Sequence, residues 1–184
     1  MSAAERFDAL AGLLAYPDAE YFARVTRARD VLADDPGSTA LLDSFAAAVA
    51  PMSMEALQEL FIQTFDLSPV CTLEVGWHLW GENYERGTFL VRMREQLREH
   101  GLAESDELPD HLSHVLAVLG RMEPETGCEF AARFVLPAMA KMMDGFKDKQ
   151  NPFENVMKAI WRNVHALCPE IALTASDPAL RVVE

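Results

Sequence analysis

Apolar residues recur three and four positions apart along nearly the whole chain, and no stretch alternates with period two through β-branched residues. A helix repeats every 3.6 residues and a strand every two, so this spacing commits the chain to helices packed on helices. Phe7, Leu10, Leu13 and Leu14 form one face of a first helix that stops near Tyr16-Pro17. A second covers Tyr21 to Leu32 and ends in the turn Asp34-Asp35-Pro36-Gly37. Leu41, Leu42 and Phe45 belong to a third, and Ser53 is placed to cap a fourth with the stripe Leu57, Leu60, Phe61, Thr64, Phe65.

The rhythm breaks from Asp66 to Gly81, where Pro69, Gly76, Gly81 and two tryptophans predict an irregular connection with a short helical piece. A helix from Glu82 to His100 follows, with Phe89, Met93 and Leu97 inward and Gly101 as its stop. Beyond the acidic loop 102–107, Pro109 suits the first turn of a helix carrying Leu112, Val115, Leu116 and Leu119. The next helix carries Phe130, Phe134, Leu136 and Met139 and should kink at Pro137. Asn151-Pro152 opens a last one through Val156, Ile160, Val164 and Leu167. The expectation is an all-α, single-domain bundle of about seven to nine helices over residues 1–168, with 169–184 as a flexible tail.

Half of the 184 residues are hydrophobic, which suffices for a sizeable core, and the formal net charge is −13. Such a surface repels phosphate backbones and anionic lipids, so nucleic acid is disfavoured as a partner; it suits a basic peptide, and on charge alone solubility is the simpler reading. No run approaches the ~18 apolar residues that a membrane-spanning helix needs, and Glu5 and Asp8 sit where a secretion signal would be basic. The expected compartment is the cytoplasm, without membrane insertion. Cys71, Cys128 and Cys168 are odd in number and far apart, without a CxxC pair, and read as buried thiols.

The common phosphate-binding, dinucleotide-binding and nucleophile-elbow motifs are absent. His111 and His114 stand three apart on a helix and could reach one metal, which leaves a metal-binding protein as an alternative. Trp77, His78 and Trp80 fit either a core or an aromatic wall for a peptide, and Met139, Met142 and Met143 can be read the same two ways.

The segment FDLSP (65–69), the W-H-x-x-G step at Trp77 to Gly81 with Arg86-Gly87 following, and ELPDHL (107–112) together resemble the NarJ-like nitrate reductase assembly chaperones, relatives of the TorD and DmsD chaperones. The likeness is densest from Glu59 to Met122, and LLAYPD (13–18) extends it over most of the chain. It implies an all-helical protein without catalytic activity that binds the N-terminal segment, or twin-arginine signal peptide, of a molybdopterin oxidoreductase catalytic subunit. It implies no tightly bound cofactor, transient contact at most with the client's molybdopterin guanine dinucleotide, and a monomer or weak homodimer. A helical regulator or scaffold for another client is the competing reading.

The candidate peptide-binding residues are Trp77, His78, Trp80, Tyr84, Arg86, Glu107, Pro109, Asp110 and His111, and the resemblance itself gives a recognition role to Pro109, Asp110 and His111. Many NarJ-like sequences have Tyr where this one has His111. In the expected arrangement, Asp110 and His111 lie in the first turn of the helix opened by Pro109, and the ionised Asp110 holds a client guanidinium. The rival expectation is that Asp110 only caps that helix.

Overall fold

The computed structural model describes residues 2–147 and 149–168, so the expected tail at 169–184 lies outside the described residues. Every long element is a helix, in the order α1 (Ala3–Ala11), α2 (Tyr21–Val31), α3 (Pro36–Val49), α4 (Met54–Phe61), α5 (Val75–Trp80), α6 (Tyr84–Glu99), α7 (Leu112–Leu119), α8 (Pro124–Phe130), α9 (Leu136–Asp144) and α10 (Phe153–Ala166). Among the described residues there is no strand, only one isolated antiparallel bridge between Glu74 and His111.

The ends follow from local chemistry. Ser2 and Glu5 close a capping box on α1. Ser53 Oγ accepts from the Ala56 N–H on α4 at 3.2 Å. Gly101, at φ 66°, stops α6, with the Leu102 N–H donating to the Leu97 carbonyl and the Gly101 N–H to that of Arg98. Asn151 Oδ1 accepts from the Phe153 N–H at 3.0 Å and starts α10. The turn expected at 34–37 is shorter than its composition suggested. Asp35 is the N-cap of α3, and Pro36 and Gly37 are already helical, because a proline loses nothing at a position whose N–H has no helical partner.

Pro137 needs no break. A π turn over Ala131–Val135 joins α8 to α9, with the Leu136 N–H donating to the Ala131 carbonyl, and the wider turn accommodates a residue that cannot donate. A second π turn, Ile62–Asp66, extends α4. There the Leu67 N–H donates to the Ile62 carbonyl at 2.9 Å.

Helix α10 packs chiefly on α3, α1 on α7 and α2, and α5 on α6 and α9. The inward faces expected from spacing are the buried ones, including Phe7, Leu10, Leu42, Phe45, Leu57, Phe89, Met93, Leu97, Leu116 and Ile160. Phe153 lies at the centre, its ring 5.2 Å from those of Phe45 and Phe65 and 5.6 Å from that of Phe61. Edge-on and tilted contacts of this kind add to the burial of each ring.

One expectation about the cysteines fails. Cys128 on α8 and Cys168 just past α10 meet with Cα atoms 5.1 Å apart as a disulfide, while Cys71 remains a buried thiol. Sequence spacing is silent on which helix ends meet in space.

Phe153 anchors four helical segments at once, so Phe153→Ala should cost about 3–5 kcal/mol, the usual range for a fully buried aromatic. Denaturant unfolding at constant m-value measures it, and a loss below about 1 kcal/mol would mean that the core closes over the gap.

Candidate functional site

The two segments that break the helical rhythm meet. The Val75 N–H donates to the Asp110 carbonyl at 2.9 Å and the Leu112 N–H to the Leu73 carbonyl at 2.8 Å. These two bonds stitch residues 73–75 to residues 110–112.

Pro109 does not open α7, contrary to expectation. It is buried at the second position of a turn that the His111 N–H closes on the Leu108 carbonyl at 2.9 Å, where its fixed φ fits equally well. The N-cap of α7 is His111, whose Nδ1 accepts from the Ser113 N–H at 3.3 Å and lies 2.7 Å from Ser113 Oγ.

Asp110 is therefore not in the first turn of its own helix, and it does not cap that helix. Its side chain is fully buried, and Oδ2 accepts from the Gly76 N–H and from Arg86 Nε, both at 3.1 Å. Gly76 is the second residue of α5, so Asp110 caps α5 from a segment 34 residues away. A Cβ on Gly76 would stand 2.7 Å from Asp110 Oδ2, so close approach, not a loop, demands this glycine. Arg86 also lies over the Trp77 ring at 5.7 Å. Burial pushes the Asp110 carboxyl above its ordinary range, and Arg86 pulls it back. Oδ1 is buried with no partner among the described residues.

On the other side of this junction lies a cavity of about 240 Å³ lined by Phe61, Phe65, Asp66, Thr72, Leu73, Glu74, Glu107 and His111. Of the expected residues, Glu107 and His111 reach it; Asp66, Glu74 and Thr72 were not anticipated. None of the three carboxylates forms an ion pair among the described residues. Partial burial raises Glu107, with Glu74 and Asp66 adding to the rise, and raises Asp66, with Glu74 again adding. Like charges repel, and among the described residues no lysine or arginine lines this cavity. The apolar residues Leu67, Val70 and Leu108, next to this lining in sequence, are exposed. Tyr16, half exposed, stands edge-on to Phe61 at 5.8 Å.

The remaining expected residues divide into supports and outliers. His78 is buried, with Nε2 2.7 Å from the Thr72 carbonyl, and so holds the 72–74 wall. Trp80 packs against Phe89 and Phe134 at 5.2 and 6.0 Å. Trp77 and Trp80 are both partly accessible. Tyr84 is 88% exposed and outside the cavity lining. His111 and His114 do not form a ligand pair. Both nitrogens of His114 are engaged, Nδ1 with the Leu108 carbonyl at 2.9 Å and Nε2 with Ser105 at 3.0 Å.

A larger cavity, of about 580 Å³, lies between α1, the start of α3 and the end of α10. Its charges cancel within the chain, Arg6 with Asp34 and Arg162 with Asp35.

Residues 32–155 match the family described as nitrate reductase delta subunit. A Bacillus subtilis (strain 168) protein described as a nitrate reductase molybdenum cofactor assembly chaperone NarJ is 31% identical over 123 residues, which are 65% of this chain and 66% of that protein. An Escherichia coli (strain K12) protein of the same description is 24% identical over 149 residues, covering 77% of this chain and 61% of its own length. The chain thus spans just under two thirds of these relatives. A solved structure from Archaeoglobus fulgidus, described as a redox enzyme maturation protein, superposes with a TM-score of 0.61 at 19% identity over 88% of this chain and 93% of that one, a likeness of fold.

Burial lowers the His111 pKa from 6.5 to about 4, against an upward pull from Glu74. The unfolded chain therefore takes up this proton first, and the stability tied to the neutral imidazole is complete above about pH 6.5 and lost as pH falls towards about 4. Asp66, Glu107 and Asp110, with raised pKa values, act in the opposite sense. His111→Asn keeps an acceptor for Ser113 and removes the titration. Between about pH 7 and pH 4.5 the wild type should lose on the order of 2 kcal/mol more than the variant. Parallel stability curves would place the acid sensitivity elsewhere.

Proposed function

Because the chain belongs to the nitrate reductase delta subunit family, we propose that it is an assembly chaperone for a molybdopterin oxidoreductase of the nitrate reductase kind. In this reading it binds the N-terminal segment or twin-arginine signal of the catalytic subunit in the cytoplasm. It holds that subunit back until the molybdenum cofactor is inserted, before membrane attachment or export. It carries out no catalytic step, and any contact with the client's cofactor is transient.

The observation that carries this reading is the cavity between the end of α4 and the 107–111 turn. It offers Asp66, Glu74 and Glu107 without a basic partner, beside apolar Phe61, Phe65 and Leu73. An arginine or lysine flanked by apolar residues meets both needs. Its charge relieves the repulsion among the carboxylates, and its neighbours cover the exposed Leu67, Val70 and Leu108. The relatives named above are described by their role in nitrate reductase molybdenum cofactor assembly, which supports the choice of client. In this reading Asp110 and Arg86 act behind the surface, by holding Glu74 and His111 in place.

The test uses a peptide from the N-terminus of the molybdopterin subunit encoded in a neighbouring reading frame. Titration by fluorescence anisotropy should show binding that weakens as salt rises. The double variant Glu74→Gln with Glu107→Gln should bind about tenfold or more weakly, with little change in thermal midpoint. Affinity indifferent to both salt and the double substitution would remove the cavity from the binding surface.

A further inference from the structure

Cys128 and Cys168 are the only cysteines that the fold brings together, and their surroundings differ. Cys168 is fully buried directly after the last turn of α10, whereas Cys128, on α8, is partly accessible. Their Cα separation of 5.1 Å lies inside the range a disulfide spans without backbone movement. The bond links two layers that otherwise meet through side-chain packing. Helix α10 rests on α3, while Phe130 at the end of α8 and Phe134 in the π turn that follows pack on Phe89, and Phe134 also on Trp80. Trp80 ends α5, the helix that Asp110 caps.

We propose that Cys128 and Cys168 form a reversible thiol–disulfide switch, which pins the end of α10 to α8 when oxidised and releases it when reduced. The difference in exposure sets the order of events. The Cys128 thiolate attacks one sulfur of a small disulfide such as oxidised glutathione, forming a mixed disulfide and expelling one thiolate. The buried Cys168 thiolate then attacks the Cys128 sulfur, closing the protein disulfide and expelling the second thiolate. The two protein thiols lose two electrons and two protons, and the small disulfide becomes two thiols. Cys71, buried against α9 and without a cysteine neighbour, stays outside the exchange and serves as an internal reference.

The full chain, equilibrated in glutathione buffers from strongly reducing to strongly oxidising, is quenched in acid, unfolded, alkylated and weighed. The expected result is one two-electron transition within the buffered range, from three alkylated cysteines to one, with Cys71 the residue that remains. The oxidised protein should melt on the order of 5–10 °C higher, since the bond closes a long loop. Amide exchange at 164–168 should slow on oxidation. Cys168→Ser should accumulate glutathione on Cys128, and Cys128→Ser should leave Cys168 unmodified in the folded protein. Three alkylated thiols in every buffer, a bond that persists through the most reducing buffer, or glutathione entering first at Cys168 would each overturn the proposal.

Discussion

The fold around the site depends on one buried carboxylate. Burying an ionised group costs several kcal/mol unless it is paired and hydrogen-bonded. Asp110 meets that condition on one oxygen, which receives the Gly76 N–H at the start of α5 and the Arg86 guanidinium from α6. Three separate stretches of chain are thereby fixed to one another: the turn before α7, the start of α5, and α6. The positive end of α5 adds to the attraction, and Gly76 is small enough to let the carboxylate approach. The two backbone bonds between 73–75 and 110–112 follow from this junction, and with them the placing of Glu74 and His111 beside each other at the cavity.

The acidity of the chain is not an even coat. Asp8, Asp18, Asp34, Asp35, Asp43 and Glu104 each pair with an arginine, and the larger cavity is electrostatically balanced. Asp66, Glu74 and Glu107 are different. They converge beside aromatic side chains, and mutual repulsion adds to burial in holding protons on Asp66 and Glu107 above the ordinary carboxylate range. A surface whose only task was solubility would spread such charges apart. Their convergence is what makes this cavity, and not the roomier one, the candidate for a cationic client.

The two π turns serve the same region. Each inserts an extra residue into an otherwise helical run rich in phenylalanine. At 62–66 the wider turn keeps Thr64 and Phe65 inward while ending the helix at Asp66, on the rim of the cavity. Thr64 Oγ1 donates to the Leu60 carbonyl at 2.6 Å and accepts from Asn151 at 2.7 Å, so the start of α10 braces this turn. At 131–135 the turn spares Pro137 a clash and sets Phe130 and Phe134 against Phe89. Local widening of a helix lets one run of residues serve both the core and the site.

Amino-acid order alone set the helices and their buried faces, because a period of 3.6 is a property of neighbours along the chain. It also determined the caps at Ser53 and Asn151 and the stop at Gly101, since each acts within a few residues. The FDLSP, W-H-x-x-G and ELPDHL segments were enough to identify the family and to point at Glu107 and His111. Spacing alone could not decide what Asp110 caps, since its partners lie 34 and 24 residues away. Nor could it show that Asp66 and Glu74, inside a stretch broken by Pro69, would join Glu107 across a gap of more than thirty residues. Only Glu74 of the three is half-buried, while Asp66 and Glu107 stay exposed, and convergence of this kind is not visible before folding. The pairing of Cys128 with Cys168 belongs to the same class. Charge, burial and disulfide partners depend on distance in space, and only the packing of one helix on another sets those distances.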